Sequence, residues 1–277
     1  MTRPAIASFF ETPHDNKPDL MLNITTYIDE SQHVGPGHAV VAGFWGTEDQ
    51  WNGFVSAWEA GLGNRKALHM NGLRWNARGA KKLVRDLLAR LGPIPAEHGL
   101  CPVYGAVKVG DYLDLVAGES DFNKRLCGYV MDLLRIFVTL NSQVPAHGKI
   151  KIVCEQQNTY EPLARGLFEV FAKMAARDPY CPWFNSIEFV PKDATSLTQP
   201  SDFLAFAMGK YLDECGGKKD LWCRPIFGHM KPNKIPGCVY TRDRARFLVS
   251  AIIKNSKDGR LVGAVEFGKF LRSKGLL

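Results

Sequence analysis

The sequence predicts an α/β fold, a five-stranded mixed sheet flanked by helices with a helical C-terminal extension. Three observations carry that prediction. Short β-branched and aromatic runs alternate with longer stretches of helical period. The first two runs are joined through a glycine–proline turn, which suits an antiparallel hairpin. The later runs are separated by amphipathic stretches long enough to cross over and return, which sets strands parallel. At 277 residues the chain can bury one sizeable core. Residues 1–20 read as an irregular arm, 21–215 as the core, and 216–277 as a basic loop and C-terminal helices packed on that core.

Pro4, Pro13 and Pro18 block regular structure in the arm. Ile24, Thr25, Thr26, Tyr27 and Ile28 then favour a pleated backbone, and the run ends in Asp29 and Glu30. After Gly35-Pro36-Gly37, residues His38 to Trp45 return as a second strand. Thr47 and Gln50 form a capping box ahead of Trp51, Phe54, Val55 and Trp58, which share one helical face. Leu68 to Leu73 link to a helix at about Ala77 to Leu91, whose apolar stripe reads as Leu83, Leu87, Leu88 and Leu91, and Gly92-Pro93 stops it.

Cys101 to Val109 has strand composition, and Gly118-Glu119-Ser120 opens the longest helix, with Phe122, Leu126, Tyr129, Val130, Leu133, Leu134, Phe137 and Val138 on one side. Lys149 to Cys154 form a fourth strand ending in Glu155, followed by a helix with Leu163, Leu167, Val170, Phe171 and Met174 aligned. Ser186 to Val190 make the fifth strand. Pro200 begins a helix that carries Asp202 in its first turn and ends at Gly216-Gly217. Residues 218–238 read as a long loop, and about Arg242 to Lys254 and Val265 to Leu271 as helices.

Lys and Arg number 35 against 28 Asp and Glu, a net charge of +7 that favours phosphate-bearing partners without demanding them. The seven cysteines are odd in number, scattered and never spaced C-x-x-C, which suits reduced thiols in a cytosol. The N-terminal stretch lacks the long apolar region of a secretory signal, and no run approaches the roughly 20 apolar residues of a membrane helix. The expectation is a cytoplasmic protein with no membrane partner.

A hairpin, a third strand after inserted helices, then helix, strand, helix, strand, helix is the element order of a ribonuclease H-like fold. In that topology the first and fourth strands are neighbours. Asp29 and Glu155 then meet at their carboxyl ends, and Asp202 reaches the same crevice from its helix start. Three converging carboxylates cannot all ionise cheaply, and a hard divalent cation, Mg²⁺ or Mn²⁺, would neutralise them. Two such ions support phosphodiester hydrolysis of DNA or RNA.

Tyr27-Ile28-Asp29-Glu30-Ser31 resembles the opening Y-I-D-E-S-G signature of the prokaryotic and phage family known as domain of unknown function 3800. Leu68-His69-Met70-Asn71-Gly72-Leu73 is similar to its F-H-A-x-x-L segment, and Gln199-Pro200-Ser201-Asp202-Phe203-Leu204-Ala205 to its L-Q-x-A-D-L-x-A ending. The likeness covers about Asn23 to Leu212 and implies a ribonuclease H-like, metal-dependent nuclease with Asp29, Glu155 and Asp202 as ligands and Glu30 and His69 as accessory residues. Gln32 stands where the signature has glycine, Glu155 where Asp is common, and Ser201 where alanine precedes the last acid. A non-catalytic member that binds nucleic acid or a protein is the alternative.

Plainer readings stand beside these. Asp29 and Glu30 also suit a solvated turn, Asp202 a helix N-terminus, Glu155 the first polar residue of a loop, and His69 an exposed or hydrogen-bonded loop position. Strand alternation sends Glu30 to the face opposite Asp29. Cys215, Cys223, His229 and Cys238 are zinc-type ligands at spacings that match no usual site. Gly263 to Lys269 imitate a phosphate loop, but Phe270 stands where Ser or Thr must hold magnesium. Lys218, Lys219, Arg224, Lys231 and Lys234, interleaved with Trp222 and Phe227, suit either a nucleic-acid contact or a solvated loop.

Overall fold

The computed structural model describes residues 22–31, 37–70, 73, 80–117, 121–156, 160–177, 180–191, 195–214, 235–257 and 260–261. The arm, the basic loop at 218–234, the helix expected at Val265 to Leu271, the phosphate-loop mimic and three of the four zinc-type residues lie outside them.

Strands β1 (Leu22–Ser31), β2 (His38–Thr47), β3 (Cys101–Lys108), β4 (Gly148–Glu155), β5 (Trp183–Val190) and β6 (Gly237–Val239) form one mixed sheet in the order β5-β4-β1-β2-β3-β6. β1, β2 and β3 pair antiparallel in succession, whereas β4 lies parallel to β1, β5 to β4 and β6 to β3. The sheet therefore has six strands rather than the five expected. β6 is three residues long, and its Gly-Cys-Val sequence offers no alternation from which a strand can be read.

Helices lie on both faces. α1 (Glu48–Leu62) begins with the expected capping box, in which Thr47 Oγ1 accepts from the Gln50 N–H at 3.4 Å and Gln50 Oε1 from the Thr47 N–H at 2.8 Å. α2 (Ala80–Leu91) and a short α3 (Ile94–Glu97) follow. α2 buries Leu87, Leu88 and Leu91 as expected, but Val84 in place of Leu83, which is 70% exposed. An i, i+3, i+4, i+7 row starting at Val84 fits a continuous helical face better than one starting at Leu83. Among the described residues α4 (Asp121–Gln143), α5 (Glu161–Ala175), α6 (Gln199–Glu214) and α7 (Arg242–Asn255) follow.

Strand alternation divides the core into two layers. Ile24, Ile28, Val41, Val107, Ile150, Ile152 and Cys154 point to the face packed by α4, α5 and α7. Val40, Ala42, Phe44, Tyr104 and Ala106 point to the face packed by α1, α2 and α6. Trp51, Phe54, Trp58 and Phe203 form a chain of edge-on and tilted rings there, with centroids 5.3–5.9 Å apart. Among the described residues no helix is long and apolar enough to cross a membrane.

Candidate active site

Asp29 and Glu155 are brought side by side by the register of two parallel strands. Ile28 pairs with Cys154, and both turn toward the α4 side, so the next residue of each strand turns toward α6. Those residues are Asp29, only 7% exposed, and Glu155, half-buried at the end of β4.

α6 supplies the third acid because its first turn is tied to this part of the sheet. The Ser201 hydroxyl donates to the Tyr27 carbonyl oxygen at 2.8 Å, and Ser201 is fully buried. One residue further, Asp202 Oδ2 accepts from the Met70 N–H at 2.9 Å. The carboxylate thus joins its helix to a distant segment as well as standing in the first turn, where the helix dipole favours it.

The segment around His69 is pinned by the same helix. Gln199 Oε1 accepts from the Leu68 N–H at 3.1 Å and from the Trp58 indole N–H at 3.2 Å, both within the core. His69 lies half-buried between two residues whose amides are held by Gln199 and Asp202. The three sequence segments that carry Asp29, His69 and Asp202 therefore meet in one place. Gln199 and Ser201 were legible as motif positions, but their structural work was not.

Electrostatics agree with this convergence. Burial pushes the Asp29 carboxyl well above the usual carboxylate range, and the charges of Glu30, Asp202 and Glu155 push it further the same way. The Glu30 N–H, which donates to Asp29 Oδ1 at 2.8 Å, opposes them. Among the described residues no cation acts on Asp29 in compensation.

Glu30 goes to the opposite face, as alternation requires. Its charge acts there on Tyr129 and Cys154, both raised chiefly by their own burial. Its contribution to the Asp29 site is therefore its backbone N–H and its charge from the neighbouring position.

The chemistry of the donors fits a hard divalent cation: carboxylate oxygens on rigid elements, with an uncompensated negative field. The spacing is looser than a preformed metal cage. Among the described residues no three His, Cys, Asp or Glu side chains are gathered closely enough to hold an ion. Comparisons of the chain with family models, with curated proteins and with solved structures found no match.

Proposed function

We propose that the chain is a divalent-metal-dependent phosphodiester hydrolase of ribonuclease H-like type, in which Asp29, Glu155 and Asp202 take Mg²⁺ or Mn²⁺ and the substrate is a nucleic acid. The observation that carries the reading is the buried Asp29 carboxyl, raised by Asp202 and Glu155 from the neighbouring elements and by Glu30 beside it. Such a site is unfavourable until a cation enters it. The strand order β5-β4-β1-β2-β3 supports the fold assignment, and the likeness of the three motif segments to the domain of unknown function 3800 family supports the activity.

When bound, a divalent ion supplies an activated water and stabilises the leaving oxygen. The chain's part is to hold the acids on β1, β4 and α6, to exclude solvent around Asp29, and to keep His69 beside Asp202 as the accessory group for phosphate or proton.

The absence of a tight three-residue cluster among the described residues favours a second reading, a non-catalytic nucleic-acid-binding or protein-interaction member of the same fold. Incubating the protein with single- and double-stranded DNA and RNA separates the two. The hydrolase reading expects cleavage that requires Mg²⁺ or Mn²⁺ and is lost in Asp29→Asn, with Mn²⁺ uptake by calorimetry lost in parallel and the circular dichroism unchanged. Cleavage by Asp29→Asn at the wild-type rate overturns the site, and no cleavage with no Mn²⁺ uptake by the wild type overturns the hydrolase.

A further inference from the structure

The two faces of the sheet are covered unequally. On one face α5 packs on β5 and α4 on β2 and β3. On the other, α1 and α6 lie over β1 and β2 and the 3₁₀ turn Ser196–Thr198 reaches β1 and β4, while Trp183, Asn185 and Glu188 of β5 are exposed and Lys149 and Lys151 of β4 half-buried. Val153, between Lys151 and Glu155 on this face, is buried. The open part is what lies beyond it, toward the start of β4 and β5.

Register arranges the side chains of this strip in rows. Asn23, Lys149 and Trp183 form one row, and Thr25, Lys151 and Ser186 the next, with a β-bulge between Ile150 and Lys151 that turns both Asn185 and Ser186 outward. Successive rows are about 6.6 Å apart, two residues of strand. Trp183 is 58% exposed, an unusual position for so large an apolar ring. Lys151 meets Glu188 at 2.8 Å, with both side chains close to half exposed, an arrangement a stronger anion can exchange at little cost. Followed along β4, the rows lead to Glu155 and Asp29 about 13 Å beyond Lys151.

We propose that this strip binds the part of a single-stranded nucleic acid that flanks the acids, with Lys149 and Lys151 on its phosphates and Trp183 stacked on a base. The inference rests on the hydrolase reading above. Cations beside an exposed aromatic face are what an unpaired strand requires, because each phosphate takes a counter-charge and each base offers a π-face. An exposed ring suits an unpaired strand better than a duplex, whose bases are already stacked on one another.

The test is binding of fluorescein-labelled oligo(dT) by the full chain in chelator, read by anisotropy over a range of salt, so that it does not depend on metal or cleavage. The expected result is that Trp183→Ala binds about tenfold more weakly. Lys149→Ala/Lys151→Ala should weaken binding at low salt and make the slope of log K against log salt shallower by about 1.4, two phosphate contacts on a single strand. Because the assay runs in chelator and reads no cleavage, a failure of the metal site leaves this result untouched. Wild-type affinity and slope in both strip variants, or equal affinity for duplex and single strand, overturns the proposal.

Discussion

The Ser201 hydroxyl and the Tyr27 carbonyl oxygen, 2.8 Å apart, join the first turn of α6 to β1 two residues before Asp29. A serine buried in a helix normally competes with its own backbone for hydrogen bonds; here the hydroxyl is committed to another element. Ser201→Ala should lower stability to urea by about 1 kcal/mol with an unchanged m-value, since the lost bond is one neutral buried pair. A variant as stable as wild type would remove this bond from the account of how Asp202 is positioned.

Gln199 has more to lose. Its side-chain oxygen serves the Trp58 indole N–H and the Leu68 N–H together, so Gln199→Leu leaves two buried donors without an acceptor. The expected cost is roughly 2–4 kcal/mol in chemical denaturation. Faster amide exchange at Leu68 should accompany it, because the segment carrying His69 loses its tie to Gln199.

Asp132 on α4 is 1% exposed, and neither carboxylate oxygen has a hydrogen-bond partner. Burial alone holds its carboxyl well above the usual carboxylate range. Below the unfolded-state value of about 3.9 both states keep the proton and Asp132 leaves stability unaffected. As pH rises past that value the unfolded chain releases its proton first, so stability falls until the folded value is passed. Asp132→Asn cannot ionise. It should match wild type near about pH 3 and exceed it increasingly toward neutrality in urea titrations. A wild type at least as stable as the variant at neutral pH would refute the buried, unpaired state.

β3 and α4 approach closely at Gly105, where an added Cβ would collide with the Asp132 carbonyl oxygen and Cα. No flexible side-chain end can move aside there. Gly105→Ala should therefore cost about 1–3 kcal/mol in thermal or chemical unfolding, and the loss should appear in the unfolding transition of the whole sheet.

Much of this arrangement was legible in the residues. The β-branched run of β1, the capping box of α1 and the acids closing β1 and β4 each depend on neighbours in sequence, and local pattern reports them. Gln199 is different: its partners lie 131 and 141 residues away, so nothing near it in sequence announces an acceptor for two buried donors. Leu83 and Val84 illustrate another limit. Both are apolar and adjacent, and only packing decides which faces the core. The sixth strand escaped because three residues are too few for a period, and its pairing with β3 is made by backbone groups that every sequence shares.

That late strand has a consequence in time. β1, β2 and β3 can pair as soon as residue 108 has been synthesised, yet Tyr104 to Ala106 keep an open backbone edge until Gly237 to Val239 follow. Throughout that interval another molecule's strand can add where β6 belongs. A chain stopped before Gly237 never leaves the interval, and it should accumulate as aggregate even though the acids, their helix and most of both cores are already encoded in it.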